Sequence, residues 1–252
     1  MAHAAQPVEL RPETLDHFST YIKQAEASMD GALQGSAPFL WCEATPDTFR
    51  RVRDGEVVAR FWSEAGPIKI PRGLIHDWVG SALIPGRRIA ELLALIQDYD
   101  NHKDIYRPEV IDSKLLARRG NDFRIYLRLV KKKIITVVLD TEHDARYRAL
   151  ESTRWICHSC TTRIAEVQNA GSLNEKVLPP DTGYGFLWRL YSYWRFEERK
   201  EGTYVECRAV SLTRDVPFGM GWVIEPIVQQ LPKEALIHTL EGTRRALYAG
   251  AR

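Results

Sequence analysis

Apolar residues at positions 11–29 recur at helical spacing. Leu15, Phe18, Ile22, Ala25 and Met29 share one side, and Pro12 suits a first helical turn. Asp30-Gly31 breaks that pattern, and the irregular stretch after it carries Phe39, Leu40 and Trp41, three large apolar residues that need a packing partner. Phe49 to Trp62 reads as two short strands around the turn Arg53-Asp54-Gly55-Glu56. Gly66, Pro67, Pro71 and Gly73 punctuate the chain heavily, which puts a boundary near residue 70.

Beyond that boundary the pattern is more regular. Leu74 to Ile84 reads as a strand, closed by Pro85-Gly86. Arg87 to Tyr99 reads as a helix with Ile89, Leu92, Leu93 and Ile96 on one side. A short connection containing His102 leads to strands at 110–118, 123–130, 134–147, 154–168, 186–199 and 204–214. The turn signals between them, such as Arg119-Gly120-Asn121-Asp122 and Lys200-Glu201-Gly202-Thr203, are too short for crossovers and imply antiparallel hairpins. The end is helical. Pro226 is expected to kink or break a helix over 217–230, and Pro232 to start a second one with Leu236, Leu240, Thr243 and Leu247 as its stripe.

Composition changes this picture little. Of 252 residues, 44% are apolar and 27% charged, enough for a real core and against wholesale disorder. The net charge of +2 announces no polyanion partner, and no extended basic stripe with interleaved aromatics points to nucleic acid. No apolar run is long enough to read as a membrane span. Ala2-His3-Ala4-Ala5 has the small-x-small spacing of a signal-peptidase site without an apolar stretch before it. The compartment stays open: secreted or periplasmic as a mature segment, otherwise cytoplasmic. In the first case Cys42 and Cys207 become candidates for oxidation. Cys157-His158-Ser159-Cys160 has CxxC spacing but falls on a strand, where residues three apart face opposite ways, so no metal is expected there. No glycine-rich phosphate loop is present, and no cofactor is expected.

The order strand, helix, antiparallel strands, long C-terminal helix resembles the START-like, helix-grip (SRPBCC) superfamily. The resemblance runs from about residue 71 to 250. It is carried by Trp194-Arg195-Phe196-Glu197-Glu198 followed by Tyr204-Val205-Glu206-Cys207, and by Leu212-Thr213-Arg214-Asp215-Val216-Pro217 leading into Gly219-Met220-Gly221-Trp222. It implies an α+β fold with a curved antiparallel sheet of about six or seven strands wrapped on the last helix. Residues 1–70 form an extension to a START-like domain over 71–252. It also implies a cavity between sheet and helix for a hydrophobic small molecule or lipid. A cyclase or dehydratase using the same cavity is the alternative, and a non-enzymatic role is favoured.

Strand parity assigns residues to that cavity. Trp188, Ser192, Trp194 and Phe196 share one face of 186–198, and with Trp222 the indoles would make an aromatic wall. A plainly packed core accounts for the same face. Val205, Cys207, Ala209, Ser211 and Thr213 share a face whose small side chains leave room beneath a helix, for a pocket or for close packing. Arg163 shares a face with Cys157, Ser159 and Thr161 by parity. If inward, it needs Asp140, Glu142, Asp215 or an acidic ligand as partner; if outward, it is an ordinary surface cation. His143 is the candidate acid–base or ligand-contacting group, although Glu142 beside it faces the other way. Lys131, Lys132 and Lys133 read as a solvated hairpin tip, with transient contact to an anionic membrane as the functional alternative.

Overall fold

The computed structural model describes residues 7–63, 66–132, 136–215 and 221–249, with the backbone alone over 221–231. Its strands are β1 (Val8–Glu9), β2 (Val58–Phe61), β3 (Ile68–Ile70), β4 (Gly73–Pro85), β5 (Val110–Arg119), β6 (Asp122–Lys132), β7 (Thr136–Glu151), β8 (Arg154–Gln168), β9 (Lys176–Val177), β10 (Thr182–Gly183), β11 (Arg189–Arg199) and β12 (Gly202–Arg214). Its helices are α1 (Pro12–Gly31), α2 (Pro46–Arg53), α3 (Ile89–Ile96), α4 (His102–Ile105) and α5 (Gly221–Ala249). The fold is α+β, with a large antiparallel sheet and a long C-terminal helix.

Ten strands form that sheet, in the order β2-β4-β12-β11-β8-β7-β6-β5, with β3 also on β4 and β9 on β8. This exceeds the six or seven expected, partly because β2 and β3, which precede residue 70, pair with β4. Strands on both sides of the expected boundary thus share one hydrogen-bonded sheet.

Helix α5 lies on one face of the sheet, called inward below. Leu236, Leu240 and Leu247 are buried there with Trp78, Ala82, Phe196, Val205 and Cys207, and α3 adds Leu92, Leu93 and Ile96. The helix comes close because β4 carries Gly80 opposite it. A Cβ at Gly80 would lie 3.0 Å from Leu240 and 3.1 Å from Leu236. Tyr248 near the end of α5 donates to the Pro85 carbonyl, so the helix runs back along β4 and its first half lies toward the Gly73 end. The break expected at Pro226 and the restart at Pro232 do not occur; the backbone is one helix across both. Each proline removes one N–H bond, and the turns after them are held by the leucine stripe against the sheet.

The outward face is covered by residues that precede β4. Phe18 and Ile22 of α1 pack on Ile75, Tyr193, Val210 and Leu212. Leu40, Trp41, Cys42 and Val52 pack on Val79, Leu83 and Tyr204. Here the expected pair of short strands over 49–62 is corrected: its first half is α2. Thr45 caps that helix by accepting from the Thr48 N–H, and Pro46 and Asp47 suit its first turn. The same face buries charge. Arg208 pairs with Asp77 at 2.6 Å, and the Tyr21 hydroxyl donates to Asp77 from α1. Arg195 and Glu206, cross-strand neighbours, take hold of the segment between α1 and α2. Arg195 donates to the carbonyls of Phe39 and Met29, and Glu206 accepts from the Cys42 N–H and from Ser81.

Candidate functional site

Across the strands, inward side chains fall into rows. One row runs Gly80, Cys207, Trp194, Cys157, Tyr147. The next runs Phe61, Trp78, Ala209, Ser192, Ser159, Ala145, Phe123. The third runs His76, Ser211, Leu190, Thr161, His143, Ile125. The middle row has large aromatics at its ends and small side chains between. Trp78 and Phe123 are buried, but Ala209, Ser192 and Ser159 are only half-buried, as are their neighbours Trp194 and Leu190. The inward face is therefore partly accessible along Ala209, Ser192 and Ser159, where its side chains are smallest, a stretch called the trough below.

Buried polar groups stand in the row beside this trough, and those among the described residues are neutral. The Thr213 hydroxyl donates to the Arg214 carbonyl at 3.2 Å, so it accepts from His76 Nε2–H at 3.0 Å. In that arrangement His76 Nδ1 carries the lone pair; among the described residues neither it nor Trp78 Nε1, both buried, has a hydrogen-bond partner. His143 repeats the arrangement. Thr141 donates to the Leu127 carbonyl, and His143 Nε2 donates to Thr141 at 2.9 Å. Burial pushes both imidazoles down to about 4, with His102 adding to the effect on His143, so both are uncharged at neutral pH.

Of the residues expected in the site, Ser192, Trp194, Ser211 and His143 share the inward face. Two lie elsewhere. Trp188 precedes β11, donates its backbone N–H to the Leu212 carbonyl, and packs with Phe18 and Ile22 beneath α1. Strand parity does not extend to it, because the strand begins at Arg189. Arg163 is turned outward by a bulge: Glu142 pairs with Arg163 but His143 with Thr161, so Thr162 is the extra residue. Its partner is Glu142 at 3.9 Å, one of the three carboxylates named from the sequence. The side chain of Trp222 lies outside the described residues. Parity alone missed His76, Trp78 and Ser159, which become neighbours of the site only through the cross-strand register.

The remaining polar candidates separate cleanly. Cys157 faces inward and is buried, Cys160 is half-buried on the other side, and Cys42 and Cys207 lie on opposite faces, all as free thiols. The expected candidates for oxidation are therefore not partners of one another. Lys131 pairs with Glu109 and Lys132 is exposed; Lys133 lies outside the described residues. Among the described residues no helix is long and apolar enough to cross a membrane.

No family model and no curated protein matches the sequence. Solved structures are similar in form. TTHA0849 from Thermus thermophilus is 18% identical, with a TM-score of 0.49, over 69% of this chain and 98% of that one. A STAR-related lipid transfer protein from Xanthomonas axonopodis is 16% identical, with a TM-score of 0.45, over 73% and 98%. The Zhui aromatase/cyclase from Streptomyces sp. R1128 is 11% identical, with a TM-score of 0.44, over 72% and 96%. A lipid-transfer protein and a cyclase thus both appear among the similar forms.

Proposed function

We propose that the protein binds a hydrophobic small molecule or lipid in the trough between the inward sheet face and α5. The accessible row Ala209, Ser192, Ser159 carries this proposal, because small side chains on an interior face leave room for a guest beneath a helix. Trp194 gives the guest an aromatic wall, and Ser192, Ser211 and His143 give it polar contacts. The cyclase-like alternative asks for an ionisable pair beside His143. Glu142 faces outward, and His102 is held by the Ile96 carbonyl at 3.0 Å, so binding is the better supported role.

N-Phenyl-1-naphthylamine, an apolar probe that brightens on leaving water, tests this. Saturable uptake is expected in the intact protein, and loss of uptake with unchanged circular dichroism in Ala209→Phe, which fills the trough. Undiminished uptake by that variant would put the guest elsewhere. Transient contact with anionic membrane through Lys131, Lys132 and Lys133 remains part of the proposal. Phosphatidylserine vesicles should sediment the protein at low salt, and replacing the three lysines with Gln should abolish this.

A further inference from the structure

We propose that the guest is an uncharged molecule, held through hydroxyl or carbonyl oxygens by the paired hydroxyls of Ser159 and Ser192. The proposal rests on the binding role above and deepens it.

Ser159 and Ser192 are direct cross-strand neighbours, which puts their Cβ atoms about 5 Å apart. Both are half-buried, and neither hydroxyl has a hydrogen-bond partner among the described residues. Each can donate and accept, so together they suit an alcohol, phenol or ketone oxygen. Trp78 continues the same row two strands from Ser192, and its unpartnered Nε1–H is a further donor. His76 begins the adjoining row with an unpartnered acceptor at Nδ1. Buried polar atoms without partners are rare enough to need an explanation; a guest hydroxyl could serve either atom, and a guest carbonyl the Trp78 donor.

Among the described residues, no charged side chain stands beside the two serines on this face. The bulge at Thr162 carries Arg163 away to the outward side. The carboxylate of Glu166, at the far end of β8, already accepts from the backbone N–H groups of Tyr184, Gly185 and Phe186. Lys233 on α5 stands 5.8 Å from the centre of the Trp78 ring, and Trp78 lies two strands along the row from Ser192. A carboxylate or phosphate in the trough would lose its water and meet neutral hydroxyls in return.

The test displaces N-phenyl-1-naphthylamine at pH 8 with two guests of equal chain length, dodecanol and dodecanoate. Dodecanol is expected to displace it at about one-tenth the concentration that dodecanoate needs. In the double variant Ser159→Ala, Ser192→Ala, dodecanol should weaken about tenfold relative to the probe, whose own affinity for the variant is measured first, the effect of losing two neutral hydrogen bonds. If dodecanoate matches or beats dodecanol, or if the double variant leaves dodecanol unchanged, the guest's neutrality is refuted and the binding role stands. If the intact protein takes up no probe, the binding role fails, and this proposal with it.

Discussion

Glu206 provides a pH-dependent test of how the outward face is built. It is buried beneath the segment joining α1 and α2, with Ser81 and the Cys42 N–H as hydrogen-bond donors and Arg195 as its cross-strand neighbour. Burial pushes its carboxyl up to about 7 from an ordinary value of 4.5, and the Arg195 charge only partly opposes this. An acid whose folded pKa is raised binds its proton more tightly when folded. Its contribution to stability is therefore full below the unfolded value and is lost as pH rises through the folded one. The shift corresponds to about 3 kcal/mol in full, most of it present by pH 5 and nearly all gone by pH 8. The perturbation is Glu206→Gln, which keeps the acceptor oxygen and removes the titration. His76, His102 and His143, all pushed down to about 4, act in the opposite sense as pH falls. They are common to both proteins and cancel in the difference. Urea unfolding followed by tryptophan fluorescence at pH 5, 6, 7 and 8 gives that difference. The intact protein should lose about 2–3 kcal/mol relative to the variant between pH 5 and pH 8. A difference that stays flat over this range would refute the reasoning, since Glu206 would then be no more desolvated when folded than when unfolded.

Other expectations concern packing and polar burial. Gly80→Ala should cost about 1–3 kcal/mol, seen as a lower thermal midpoint, because the added methyl meets Leu236 and Leu240 at about 3 Å. Leu240→Ala should cost about 2–5 kcal/mol in chemical unfolding, since the side chain is fully buried in the main core. Arg208→Met and Asp77→Ala should each cost about 3–5 kcal/mol in the same assay, because each strands the buried charge of its partner, whereas the paired change Arg208→Met, Asp77→Leu should be far better tolerated.

Much of the fold is legible in the sequence because period-2 and period-3.6 patterns report burial directly. The six long strands after residue 110, helix α1 and the Leu236, Leu240, Thr243, Leu247 stripe all follow from it. Helix α2 is missed because eight residues give little periodicity, although Thr45-Pro46-Asp47 carries a capping signal. The site is less legible. The place of Ser192, Trp194 and Ser211 on one face of their strands follows from parity. Parity fails for Arg163, because a bulge shifts one residue, and for Trp188, because the strand has not yet begun. The row joining Trp78, Ala209, Ser192 and Ser159 comes from four strands far apart in sequence. Only the cross-strand register could assemble it.

Arg195 and Glu206 hold the segment between α1 and α2 by its carbonyls at Met29 and Phe39 and its amide at Cys42. These are groups that nearly every residue possesses. The clasp is therefore blind to which side chains the segment carries. Residues 30–38 can drift in sequence, and even in length, while the strap stays fastened. The two clasping residues are less free to drift, since Arg195 supplies the donors to both carbonyls and Glu206 the acceptor for the Cys42 N–H.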